Sequence, residues 1–192
     1  MYKKLISYLV FILFAPLVAL CADDPSRARL YIPVITNTTV SGCATCELKA
    51  SGYSARYVFG FGLGLGVASS KASVSGNPDL ADYSYDSGPM IDIGYTFGSD
   101  FTITLGLGVG SSPSSDAKFS DTEYYKDWKL EGKNASNTFL GLGYNIGSIE
   151  ILIILRSVNT HFDQSFTFLG VPTKSELDNS WSTTDIGIGF TF

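Results

Sequence analysis

The stretch Phe59–Ser69, FGFGLGLGVAS, places glycine at every second position with a bulky apolar residue between each pair. Repeated glycine serves two quite different structures: a loop that cradles phosphate, or a strand with two unlike faces. The loop requires G-x-G-x-x-G at a strand-to-helix turn. Here Gly60 and Gly62 are followed by Leu65, Gly64 and Gly66 by Ser69, and no helical period follows. As a strand, the segment sets Tyr57, Phe59, Phe61, Leu63, Leu65 and Val67 on one face. Arg56, Val58 and the four glycines take the other, a face on which bulk is unwelcome.

The same two faces recur. Ile91, Ile93, Tyr95 and Phe97 oppose Asp92, Gly94 and Thr96; Phe101, Ile103, Leu105, Leu107 and Val109 oppose Thr102, Thr104, Gly106, Gly108 and Gly110. Leu140, Leu142 and Tyr144 oppose Gly141 and Gly143, and Ile149, Ile151, Ile153 and Leu155 oppose Glu150, Leu152, Ile154 and Arg156. Ile186, Ile188, Phe190 and Phe192 oppose Asp185, Gly187, Gly189 and Thr191. A soluble sandwich would cover its second face with Lys and Glu, which are scarce here. Lipid outside and a crowded lumen inside account for both faces. Inward glycine then leaves room for larger inward neighbours such as Arg156.

The connections agree. Gly98-Ser99-Asp100 and Gly147-Ser148 are tight turns, whereas the alternate connections, near residues 70–87, 111–136 and 161–182, are long and polar. Outward aromatics gather at the short-turn ends, as an interfacial girdle would. The sequence therefore predicts an all-β fold, an eight-stranded antiparallel transmembrane β-barrel with short periplasmic turns and long extracellular loops. Six strands are clear from Tyr53 onward. Two more are read in residues 27–50: Arg27–Thr36, and a short strand at Cys46–Ser51 followed by a turn at Ser51–Ser54. An N-terminal plug or arm is the alternative for this region.

Residues 1–21 read as a secretory signal peptide, with Lys3 and Lys4 ahead of an apolar run that Pro16 interrupts. Lipidation at Cys21 is an alternative that Leu20 disfavours. The barrel domain is residues 22–192. Losing the two leader lysines leaves 11 basic against 18 acidic residues, and no basic cluster, so no nucleic-acid partner is expected.

The final residues IGIGFTF resemble the C-terminal signature of bacterial outer-membrane proteins. That resemblance implies that Phe190 and Phe192 form the signal read by the barrel-assembly machinery. With the leader and the strand count, the chain resembles the small eight-stranded barrels that include OmpX/Ail, opacity-type proteins and the OmpA transmembrane domain. It implies residence in the bacterial outer membrane, contact with its lipid, and a role anywhere among adhesion, serum resistance and structural support.

Few residues carry chemistry. Cys43 and Cys46 lack the further ligands a zinc site needs and read as a disulfide in an oxidising compartment. No cofactor is expected. His161 is the only histidine; with Asp163 and Ser165 on its face it invites comparison with lipid A deacylases of eight strands, whose closer His-x-Ser-Asn pattern is absent. Asp92, Glu150, Arg156 and Asp185, with Arg56, Glu47 and Lys49, are read as an inward charge network. Tyr124, Tyr125, Trp128, Phe166 and Phe168, together with Phe162 and Trp181, are read as loop aromatics free to contact a host or envelope ligand. The expected function is a non-enzymatic surface role, adhesion or envelope integrity. A lipid A-modifying enzyme and a narrow pore are the alternatives.

Overall fold

The computed structural model describes residues 25–36, 46–76, 82–117 and 124–192. The leader, Cys43 and the centre of the connection over residues 111–136 lie outside them. Ten strands follow in order: β1 (Arg27–Thr36), β2 (Glu47–Val58), β3 (Leu63–Ser75), β4 (Tyr83–Asp86), β5 (Met90–Phe97), β6 (Phe101–Gly110), β7 (Ser114–Ser115), β8 (Tyr125–Ile146), β9 (Ile149–Phe168) and β10 (Val171–Thr191). Eight of them close an antiparallel ring, β1-β2-β3-β5-β6-β8-β9-β10 and back to β1. The chain is thus an eight-stranded β-barrel, with β4 and β7 paired to each other at its wide-loop rim. Closure removes every edge within the wall, which is what a strand surrounded by lipid requires.

Alternation sets the two surfaces. Leu105, Leu107, Val109, Ile151, Ile153 and Ile188 point outward and are exposed. Between them Asp92, Thr102, Thr104, Asn137, Glu150 and Arg156 point inward and are buried. β6 carries outward apolar residues from Phe101 to Val109, about 30 Å of strand. Tilted as barrel strands are, that matches the roughly 25 Å apolar band of an outer-membrane barrel.

Three sequence expectations need correction. The opening stretch is two strands, since β2 ends at Val58 and β3 begins at Leu63. Phe59–Gly62 forms the turn: the Gly62 N–H donates to Phe59 O and the Phe59 N–H to Leu63 O, each at 2.8 Å. Gly62 sits at φ 90°, closed to most L side chains. The face assignment survives because Val58 pairs with Gly64, keeping even-numbered residues inward on both sides. Ser51–Ser54, read as a turn, lies inside β2, and residues 27–36 and 47–58 are wall strands rather than a plug. Finally, residues 161–182 are not a loop. β9 and β10 pair without a break from Phe190↔Ile149 to Val171↔Phe168, and reverse at Leu169-Gly170.

Candidate functional site

The lumen is filled from rim to rim, and the inward residues of β9 trace its layers in height order. Glu150 comes first. Arg29 from β1 grips it with two hydrogen bonds of 2.7 Å, Nε to Oε2 and Nη2 to Oε1. Arg29 also donates to Thr96 and Thr104, and Thr102 donates to Glu150. Both charged side chains are fully buried. Leu152 and Ile154 follow, packed with Tyr31 and Phe139. The Arg56 guanidinium lies 3.9 Å from the Phe139 ring centre, and Arg156 lies 5.4 Å from it.

Arg156 marks the next layer. Asp92 receives Arg56 at 2.9 Å and Arg156 at 3.3 Å, and Asp185 receives Arg156 at 3.1 Å. Asn137 and Thr183 donate to the same carboxylates. Two guanidiniums thus meet two carboxylates, so the layer is neutral as a unit. Above it Val158 packs with Ala68, Ala72, Met90, Ala135 and Trp181. Phe162 then meets Tyr85 at 5.9 Å between ring centres. Burial pushes the Tyr85 hydroxyl up to about 12. Phe162 and Trp181, read from sequence as loop aromatics, are therefore lumen residues, 0% and 2% exposed; Trp181 donates to Ser70 Oγ at 2.9 Å.

The structure brings Asp92, Arg156 and Asp185 together with Arg56 and places Glu150 in a separate cluster with Arg29. Glu47 and Lys49 lie on the outer surface instead, exposed and paired to each other at 3.2 Å. Their strand register makes odd-numbered residues of β2 outward. Arg29 escaped the sequence reading, although Arg27, Arg29 and Tyr31 alternate with Leu30 and Ile32 in β1 and so declare the inward face.

The second feature is a projecting sheet. Among the described residues, β6 pairs with β8 up to Ala135, and β1 with β10 up to Thr183. Beyond those rungs β8, β9 and β10 continue as a three-stranded antiparallel sheet to Tyr125 and Val171, roughly 30 Å measured along the strands. Tyr125 opens β8 opposite Phe168. A bulge between Lys126 and Lys129, with Asp127 at φ 58°, re-aims Trp128 so that it stacks on Phe166 at 4.5 Å and 22°. Tyr124 and Phe168 stand exposed near the tip.

His161 lies on the outer face of this sheet. Its Nδ1 is 2.5 Å from Asp178 and its Nε2 4.0 Å from Glu176. The hydrogen bond to Asp178 holds its pKa above the ordinary histidine range. Ser165 is four residues further along the same strand, about 13 Å away. His161 and Ser165 cannot share a proton at that distance, so they form no nucleophile–base pair. Cys46 directly precedes β2, while the Cys43–Cys46 pairing falls outside the described residues.

No protein-family model and no curated protein matches the chain. Solved structures do. The outer membrane protein OprG from Pseudomonas aeruginosa is similar over 88% of this chain and 97% of its own, with TM-score 0.50 at 16% identity. The outer membrane protein AlkL, solved in DMPC lipid bilayers, is similar over 88% and 91%, with TM-score 0.52 at 13% identity. At such identities the likeness is one of fold: this chain has the fold of a small outer-membrane β-barrel.

Proposed function

We propose that the protein is a non-enzymatic contact protein of the bacterial outer membrane. Its barrel anchors in lipid, and its projecting sheet meets a host or envelope macromolecule. The observation that carries this reading is the continuation of β8, β9 and β10 past Ala135 and Thr183, the last wall rungs among the described residues. Hydrogen-bonded strands hold a contact surface at far lower ordering cost than free loops of equal length. Trp128 stacked on Phe166 supplies a rigid aromatic patch, the kind of residue that dominates interfaces. A lumen crossed by buried side chains at each level supports anchoring over conduction.

Adherence of bacteria displaying the protein to epithelial monolayers tests this, with Trp128→Ala and Phe166→Ala as variants. Severalfold lower adherence is expected, with heat-modifiable gel migration unchanged. Adherence by wild type no greater than vector alone, or variants equal to wild type, would remove the contact role. In the same strains His161→Ala should leave the lipid A mass spectrum unaltered.

A further inference from the structure

The outer face of the projecting sheet gathers His161 and Asp163 from β9 with Glu176 and Asp178 from β10. The strand register makes this compulsory: Glu176 pairs with Asp163 and Asp178 with His161, and directly opposed residues share a face. Glu131 of β8 pairs with Asp163 from the other side. We propose that His161 Nε2, Asp163 and Glu176 form a site for a divalent transition-metal ion, zinc by ligand type. One ligand atom from each lies within 4.8 Å of the others.

Three features of the geometry support binding rather than mere crowding. First, the Asp178 carboxylate can only accept a hydrogen bond, so at 2.5 Å it fixes the proton on His161 Nδ1. In the neutral ring this leaves the lone pair on Nε2, the nitrogen on the side of Glu176. A carboxylate behind a ligating imidazole is how metal-bound histidines are ordinarily oriented. Second, donor atoms around a tetrahedral zinc stand about 3.3 Å apart. The 4.0 Å between His161 Nε2 and Glu176 Oε2 closes to that by a small side-chain adjustment. Third, the position already attracts a cation: Lys133 Nζ lies 2.8 Å from Asp163. The metal would displace this ammonium and bring a second positive charge to a patch holding Glu131, Asp163, Glu176 and Asp178. The site does not depend on the contact role proposed above.

The test is calorimetric titration of zinc chloride into the untagged, full-length mature protein in detergent, in mildly alkaline buffer. One zinc per chain is expected. His161→Ala should weaken binding at least tenfold. Asp178→Asn, which changes only the group behind the ligand, should weaken it tenfold to a hundredfold. Lys133→Met should tighten it, an outcome that general loss of structure cannot produce. Because His161 is the only histidine, ring nitrogen NMR of the wild-type protein reports on it alone. Zinc should shift Nε2 and leave Nδ1 protonated. Ring nitrogens unmoved at saturating zinc, or affinity unchanged by His161→Ala, would overturn the site and place any bound zinc elsewhere.

Discussion

Phe139 fixes the meaning of the glycine alternation at the residue scale. Its ring projects across the lumen onto Gly94 and Gly106, and a Cβ added at Gly106 would run into the ring and into the Ile93 carbonyl. Gly108 makes room in the same way for Asp92 and Asn137, and Gly143 for Thr102 and Glu150. Gly106→Val should therefore destabilise the barrel by about 1–3 kcal/mol, read as a lower urea midpoint for the folded band on a heat-modifiability gel. Phe139→Ala in the same chain should recover part of that loss, with the backbone contact accounting for the rest. The Arg29–Glu150 pair gives a sharper contrast. Glu150→Gln leaves a buried guanidinium short of its counter-charge and should cost about 3–5 kcal/mol. Replacing both by Met removes charge and counter-charge together, so it should cost far less, measured by the same urea midpoints. In β3, β5, β6, β9 and β10 the inward residues of the lipid-facing stretches were legible from alternation, because the period of two is imposed by the backbone; in β2, Glu47 and Lys49 face outward against the expectation. Which inward residues meet was not legible. Arg29 and Glu150 are 121 positions apart, and their pairing follows from barrel closure, which no local pattern encodes.

At the scale of elements, the sequence reading failed where strands leave the lipid. Inside the bilayer one face must be apolar, and alternation is visible. Above it, from Asp163 of β9 and over Val171–Ser180 of β10, neither face is buried, so DQSFTF and VPTKSELDNS carry no clear two-faced signal even though the ladder continues. The reversal at Leu169-Gly170 adds to the difficulty. Both residues have positive φ, 49° and 80°, the pattern of a type I′ turn that normally advertises itself as Asn-Gly. Leu169→Asn restores that preference and should stabilise the projecting hairpin by about 0.5–1 kcal/mol. Slower amide exchange at Phe166, Phe168 and Thr173 is the expected readout. A second element-scale prediction concerns β4. Partial burial works against ionised Asp116, but it is outweighed by donation from the Ser84 N–H and from Ser84 Oγ at 2.8 Å, so its pKa lies below the ordinary range. A depressed pKa contributes stability that is complete above the unfolded value of about 3.9 and is lost as pH falls through the folded value. Amide protection in β4 should thus hold from neutrality to about pH 4 and fall in more acidic buffer. Asp116→Asn should lower it near neutrality and converge with wild type in the most acidic buffer.

For the whole molecule, closure and filling decide what the barrel can do. The seam between β1 and β10 runs from Arg27↔Thr191 to Thr36↔Thr183, and beyond it the Phe192 N–H donates to Ser26 O at 3.0 Å. Within the closed wall, Glu150, Phe139, Arg156 and Trp181 cross the axis at successive heights, each held by partners on other strands. An eight-stranded barrel encloses a space that side chains just fill. Here the filling is covalently part of the wall and pinned by charge-assisted hydrogen bonds, so thermal motion of one side chain does not open a path. The purified protein in planar bilayers should consequently show no stepwise conductance at neutral pH and ordinary salt. Silence alone could reflect failed insertion, so a variant of the same chain must conduct. Arg29→Gly with Glu150→Gly, Arg56→Gly with Arg156→Gly, Phe139→Ala and Trp181→Ala together remove the bulk at all four heights while leaving the seam intact. It also strips Asp92 and Asp185 of their counter-charges, and two bare carboxylates in a widened lumen attract cations. This variant should give small, cation-selective steps. Wild-type steps of the same size would mean that the central layers do not close the axis and would favour a pore over an anchor.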